Sequence, residues 1–230
     1  MIELLASGAD STTPPTRSTW IASYTSSQPY SFANVPNDDY YIRAFIDSDL
    51  NPTFVDEEVI VVGLNTARSF TWKNGRISME QIAALEGRLA AGGLRVKIVV
   101  THHPFLPPPG DVGIDLVGRA TKAMNVLDRC NVDLLLAGHL HQGYAGDIRS
   151  HYPDARRAMI AVQAGTAISR RLREGEANAY NLITVDRKLV AIEVRAWDGT
   201  RFSTLRATTY DRADDGWHPR SEADPGAVAA

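Results

Sequence analysis

The chain has 230 residues, of which 44% are hydrophobic and 22% charged, with 24 Lys and Arg against 27 Asp and Glu. This composition excludes wholesale disorder, and the length fits one globular domain with tails. The net charge of −3 argues against sequence-independent nucleic-acid binding, which needs a basic face. The single cysteine excludes an intrachain disulfide and favours an intracellular, cytoplasmic protein. No apolar run reaches the roughly 18 residues of a membrane span, so we expect no membrane association.

The N-terminal part is rich in turn-forming residues until apolar runs begin near residue 54. Residues 1–44 contain many Ser, Thr, Pro, Asn and Asp without a period, so we expect a loosely ordered arm. The β-branched run at residues 59–64 predicts a buried strand. Ser78 then fits a helix N-cap, and the apolar residues that follow at helical spacing predict a helix that ends at Gly92 and Gly93.

The middle of the chain alternates between strand and helix patterns. Residues 96–100 and 132–137 predict two further strands, and residues 118–129 predict a helix between them. Strands that alternate with helices indicate parallel pairing through right-handed crossovers. We therefore predict an α/β fold of a two-layer or sandwich type, with parallel strands and crossover helices.

The C-terminal part loses the helical signals after residue 157. Short apolar runs predict antiparallel strands that join the parallel part, at residues 159–164, 180–185, 190–196 and 202–208. Residues 211–230 are polar and contain Pro and Gly, so we expect a flexible tail. These boundaries define one domain over residues 45–210 between an N-terminal arm and a C-terminal tail.

Four of the six histidines lie in two clusters, each directly after a predicted strand. One cluster is the run 101–104, Thr-His-His-Pro, and the other is the run 138–141, Gly-His-Leu-His. Loops past the carboxyl ends of parallel strands are where ligand sites form, and neutral imidazole is a common metal ligand. If the second run is extended, His139 and His141 point to the same side. Either cluster alone fits ordinary surface or core histidines better, whereas the two together favour a metal site; His151 and His218 fit surface positions.

These two motifs, about 35 residues apart, resemble the C-terminal half of calcineurin-like metallophosphoesterases. The resemblance covers about residues 45–210 and includes the segments 54–56, 61–68 and 75–77, which look like the lead-in of bacterial members. It implies a metallophosphoesterase-like fold, a divalent metal cofactor (Mn, Fe or Zn) that is dinuclear in the family, and hydrolysis of a small phosphoester. In that family, two metal ions share a bridging carboxylate, and the bridging hydroxide attacks phosphorus.

The resemblance also assigns roles to the histidines by motif. His102 and His139 match ligands of the second metal, and His141 matches a ligand of the first. His103 is not expected to bind metal; it is the candidate catalytic residue, near the substrate or orienting the ligands.

The sequence departs from the family in its N-terminal motifs. No Asp-x-His occurs before residue 54, and the Gly-Asp pairs at 110–111 and 146–147 fall in the wrong part of the chain. The segment 35–39 is only a distant echo of the family's Gly-Asn-His-Asp motif. Three histidines can still hold one Zn²⁺. We therefore expect a metal-dependent phosphoesterase that is truncated or degenerate, with weak or no activity, or alternatively a non-catalytic remnant that binds metal or a partner. Asn65 either faces the site or, as is more common, forms a turn.

Overall fold

The structure is a computed structural model, and it describes residues 53–55, 58–67, 75–111, 113–173 and 175–220. The predicted N-terminal arm over residues 1–44 lies outside this part of the chain. The described residues form a six-stranded sheet, two α-helices on one of its faces and a four-stranded sheet on the other. The predicted fold class is confirmed, with parallel strands and crossover helices followed by antiparallel strands.

The first sheet carries the parallel core of the molecule. Its order is β1-β2-β3-β4-β6-β5, in which β2, β3, β4 and β6 are parallel and the edge strands β1 and β5 are antiparallel. The sequence indicated no strand at β1 or β5. The strands are β1 Thr53–Val55, β2 Val59–Leu64, β3 Val96–Thr101, β4 Leu134–Ala137, β5 Tyr144–Asp147 and β6 Ile160–Gln163.

The two helices are α1 Met79–Ala90 and α2 Ala120–Arg129. Ser78 begins α1 with a capping box, since its Oγ accepts from the backbone N–H of Gln81 at 3.0 Å while the Gln81 side chain accepts from the Ser78 N–H at 2.7 Å. Both helices bury their apolar stripes against the same face of the first sheet. Neither helix of the described residues is long and apolar enough to cross a membrane.

The second sheet covers the opposite face. Its strands, in the order β10-β9-β8-β7, are β7 Ala179–Val185, β8 Leu189–Trp197, β9 Phe202–Ala213 and β10 Gly216–Pro219. Val190, Ile192 and Tyr210 pack against the first sheet, where they meet Val61 and Ile98. Coverage on both faces explains why β2 and β3 are continuous apolar runs rather than alternating ones.

The C-terminal boundary corrects the sequence-based prediction. Residues 211–219, expected in a flexible tail, continue β9 and form β10. Trp217 is 2% exposed and joins the core between the two sheets, and its backbone N–H donates to the Ala158 carbonyl at 3.0 Å. The buried indole of Trp217 thus anchors a hairpin whose other residues are largely polar. The polar composition of this segment alone does not predict its strands. Residues 221–230 lie outside the described part of the chain.

Candidate metal centre

The two histidine motifs lie side by side at the carboxyl edge of the first sheet. His102 and His103 directly follow β3, and His139 lies two residues after the neighbouring strand β4. The Gly138 backbone N–H donates to the His102 carbonyl at 3.2 Å, which joins the two loops. His102 Nε2 is 3.1 Å from His139 Nδ1. Parallel pairing of β3 with β4 therefore brings together two of the three histidines that the resemblance nominated as metal ligands.

His103 completes the group of close imidazoles. One ring nitrogen from each of His102, His103 and His139 lies within 4.8 Å of the others. Two nitrogens that bind one tetrahedral Zn²⁺ with bonds of about 2.0–2.1 Å are separated by about 3.3 Å. The His102–His139 pair meets this requirement at 3.1 Å, so its donors fit a divalent ion.

His141 lies apart from this group. Its Nδ1 is hydrogen-bonded to the Arg171 carbonyl at 2.8 Å, which leaves Nε2 as the atom for any ligand. The segment is also not extended as we expected, because His139 and His141 have φ angles of 79° and 58°. Between them Leu140 is buried in the helix-side core. The chain therefore turns at both histidines, and left-handed backbone in residues other than glycine clusters at functional sites.

The His103 side chain is buried and tightly enclosed. Thr66, itself fully buried, places its Oγ1 2.8 Å from His103 Nδ1 and accepts from the His103 backbone N–H at 3.2 Å. The Thr101 hydroxyl donates to the His103 carbonyl at 2.8 Å. Gly75 lies against the ring, since a Cβ at this position would be 2.0 Å from His103 Nδ1. Only a glycine leaves room for the imidazole.

The local electrostatics keep these histidines neutral. Desolvation by burial, followed by the neighbouring His139 and His102, lowers the pKa of His103 from 6.5 to about 4. Desolvation also lowers the pKa of His102, and His139 and His141 reinforce the effect. Neutral imidazole is the form that binds metal, so protons compete little with a divalent ion near neutral pH.

Sequence reasoning missed Thr66, Gly75 and Arg171 as neighbours of the histidines. Thr66 follows β2 at the same edge of the sheet as His102, so its strand-end position is a usable signal. Asn65, which we considered for the site, instead forms a turn in which its Oδ1 accepts from the Ala67 N–H at 3.0 Å. This agrees with the alternative interpretation of Asn65 as a turn residue.

No family model and no curated protein matches the sequence. Among solved structures, PhoD is similar with a TM-score of 0.53 and 12% identity, over 77% of this chain and 45% of PhoD. A purple acid phosphatase from yellow lupin (Lupinus luteus) seeds has a TM-score of 0.48 and 12% identity, over 78% of this chain and 38% of that one. A dimetal phosphatase from Danio rerio has a TM-score of 0.42 and 17% identity, over 57% and 38%.

The chain spans less than half the length of each of these three structures. At 12% identity, the likeness to PhoD concerns the fold alone. The fold shared with PhoD is α/β, with parallel strands and crossover helices followed by antiparallel strands.

Proposed function

We propose that this chain is a metal-dependent phosphoesterase with slow turnover. The observation that carries the proposal is the 3.1 Å separation of His102 Nε2 from His139 Nδ1, at the carboxyl ends of two adjacent parallel strands. Two imidazole nitrogens at this distance suit Mn, Fe or Zn as a divalent ion. The substrate class is a small phosphoester.

In this proposal, His102 and His139 would hold the ion, while His141 lies apart from them and keeps Nε2 for a ligand. The bond between His141 Nδ1 and the Arg171 carbonyl supports this role, because metal-binding histidines usually donate their other N–H to a carbonyl or carboxylate, which fixes the ring. A divalent ion in this position supplies a Lewis acid that stabilises charge developing on the phosphoryl oxygens.

His103 acts toward the substrate rather than the ion. Thr66 Oγ1 already accepts from the His103 backbone N–H, so its single hydroxyl proton is free to donate to Nδ1. The proton of the neutral ring is then on Nε2, where it serves as a hydrogen-bond donor to a phosphoryl oxygen. With its pKa lowered to about 4, His103 donates this hydrogen bond without a positive charge at neutral pH.

The slow turnover is expected from the residues that are available to bind metal. Within the described residues, the group that could hold a metal consists of three histidines and includes no carboxylate to bridge two ions. A single ion lacks the symmetric clamp that a two-metal site places on the attacking and leaving oxygens. The same observation favours the alternative, a non-catalytic protein that binds one metal ion.

The test compares histidine variants of the full chain in two assays. The first assay is isothermal titration with Zn²⁺, and the second is hydrolysis of bis(4-nitrophenyl) phosphate in the presence of Mn²⁺ or Zn²⁺. We expect His139→Ala to abolish both metal binding and hydrolysis. The matched control is His151→Ala, an exposed histidine whose ring contacts Tyr152, and it retains both.

The outcomes separate the two functions. Metal binding that depends on His139, without any hydrolysis, supports the non-catalytic alternative. Hydrolysis that survives His139→Ala contradicts both, because the activity then does not arise at this site.

A further inference from the structure

The connection between β6 and β7 concentrates positive charge next to the second histidine motif. Arg170, Arg171 and Arg173 occur within four positions of this connection, in a chain whose net charge is −3. All three are exposed. Glu174 and Glu176 follow in the sequence, so residues 170–176 carry a net charge of +1 in a chain of −3.

Two hydrogen bonds tie this connection to the loop that carries His139 and His141. Arg173 Nε donates to the Leu140 carbonyl at 3.1 Å, and the Arg171 carbonyl is bonded to His141 Nδ1 at 2.8 Å. Asn178 fixes the connection from its far end, since its Nδ2 donates to the carbonyls of Thr166 and Ser169 at 3.1 and 3.0 Å. The connection that carries the three arginines is thus fixed beside the loop of His139 and His141.

A fourth arginine approaches the same loop from the second sheet. Arg206 on β9 directs its Nη2 to the Gly143 carbonyl at 3.5 Å, two residues beyond His141. We refer to Arg170, Arg171, Arg173 and Arg206 together as the arginine rim.

Within the described residues, the arginine rim contrasts with seven other arginines that form ion pairs. Seven arginines elsewhere in the described residues form ion pairs with Asp or Glu, namely Arg129, Arg149, Arg156, Arg195, Arg201, Arg212 and Arg220. Among the described residues, no rim arginine pairs with a carboxylate. Exposed guanidinium groups raise the local concentration of anions and bind phosphate or carboxylate oxygens through charge-assisted hydrogen bonds.

From this geometry we infer that the arginine rim binds a second anionic group of the substrate. Under the phosphoesterase function proposed above, the scissile phosphoryl group lies at His102 and His139, while the rim is anchored beyond them at Leu140, His141 and Gly143. A substrate that uses both regions is a phosphoester with a further phosphate or carboxylate group. A simple phosphoester without that group reaches only the metal centre.

The first test measures anion binding by the rim without metal. Inorganic pyrophosphate is titrated into the metal-free full chain by calorimetry, with EDTA present. We expect the double variant Arg170→Gln/Arg171→Gln, whose backbone contacts remain possible, to weaken binding about tenfold or more, as expected for the loss of charged hydrogen bonds. The control is Arg187→Gln/Arg201→Gln, which removes the same charge from exposed positions on the second sheet and changes the affinity by less than about twofold.

The second test measures specificity in the metal-loaded chain. We expect Arg170→Gln/Arg171→Gln to raise KM for a nucleoside 3′,5′-bisphosphate and to leave KM for a nucleoside 5′-monophosphate unchanged. Equal weakening by both double variants, or no pyrophosphate binding by the unmodified chain, overturns the inference.

These experiments test the proposal for the arginine rim and the proposal for the metal centre independently of each other. His139→Ala removes Zn²⁺ binding, which tests the proposed function, and leaves pyrophosphate binding by the metal-free chain intact. The rim variant removes pyrophosphate binding and leaves the Zn²⁺ affinity intact. A rim that binds pyrophosphate in a chain without hydrolytic activity therefore contradicts the phosphoesterase proposal alone.

Discussion

The polar side chains at the two ends of the central strand β4 have opposite surroundings. At its start, the buried carboxylate of Asp133 accepts three hydrogen bonds, from the Lys97 backbone N–H at 2.8 Å, Arg212 Nη2 at 2.6 Å and Trp217 Nε1 at 2.9 Å. At its other end, the imidazoles of His102, His103 and His139 lie close together, and desolvation followed by the neighbouring imidazoles lowers the pKa of His102 and His103.

This difference separates a structural site from a functional one. The negative charge of Asp133 is balanced by its hydrogen-bond donors. Because Lys97 belongs to the first sheet and Arg212 and Trp217 to the second, the group holds the second sheet to the first. In the histidine group, His102 and His139 are within hydrogen-bond distance of each other, and desolvation and like charge lower the pKa of His102 and His103, a combination that clusters at functional sites.

The largest expected effect on stability comes from a substitution of Asp133, at the start of β4. Asp133→Ala leaves the Lys97 N–H, the Arg212 guanidinium and the Trp217 indole without their common acceptor. Breaking a buried ion pair in this way costs about 3–5 kcal/mol. We expect a corresponding loss in the free energy of unfolding, measured in urea, with the Zn²⁺ affinity of the folded protein unchanged.

The control for this prediction is the exposed carboxylate of Asp154. Asp154→Ala is expected to change the free energy of unfolding by less than about 0.5 kcal/mol. If Asp133→Ala is no more destabilising than this control, the Asp133 network does not hold the two sheets together.

A smaller effect on stability is expected from a substitution of Gly75, which lies against the His103 ring. Gly75→Ala brings a Cβ to 2.0 Å from His103 Nδ1, at a φ of 37°. Overpacking of this kind costs about 1–3 kcal/mol and displaces the imidazole. We expect lower stability in urea and a shifted His103 signal in the NMR spectrum.

Gly93→Ala is the matched control for Gly75→Ala. Gly93 also has a positive φ, at 55°, but a Cβ there has nothing within 4 Å. The control therefore reports the cost of the left-handed backbone alone. Equal destabilisation by the two variants, without a change at His103, contradicts the enclosed position that we assign to this ring.

The smallest expected effect is a pH dependence of the free energy of unfolding, which arises from His103. Because the pKa of His103 falls to about 4 in the folded chain from 6.5, the unfolded chain binds more protons between these values. The metal-free protein therefore loses stability as the pH decreases from about 6.5 to 4, with a slope of up to about 1.4 kcal/mol per pH unit for one proton.

Unfolding in urea at a series of pH values isolates this contribution. We expect His103→Gln to have a shallower pH dependence than the unmodified chain over this range, whereas His151→Gln keeps the original slope. Identical slopes for all three proteins contradict the assignment of this proton to His103.

The sequence predicted the parallel core because its signals there are local. Ser78 and Gln81 are three residues apart, so their capping box can be anticipated from the chain alone. The apolar runs of β2 and β3 likewise indicate buried strands without knowledge of what covers them. The C-terminal hairpin was missed for the converse reason, since Trp217 is held by Asp133, 84 residues earlier in the chain.

The sequence by itself determined which residue types are available at the strand ends, and hence that a metal site was the natural hypothesis for His102, His139 and His141. Only the tertiary structure decided that His103 lies beside His102 and His139 while Nδ1 of His141 is bonded to Arg171. Strand period predicts side-chain direction only while the backbone stays extended. Here the chain turns at His139 and His141 while Leu140 between them is buried in the core, so the two histidine side chains do not follow the strand period.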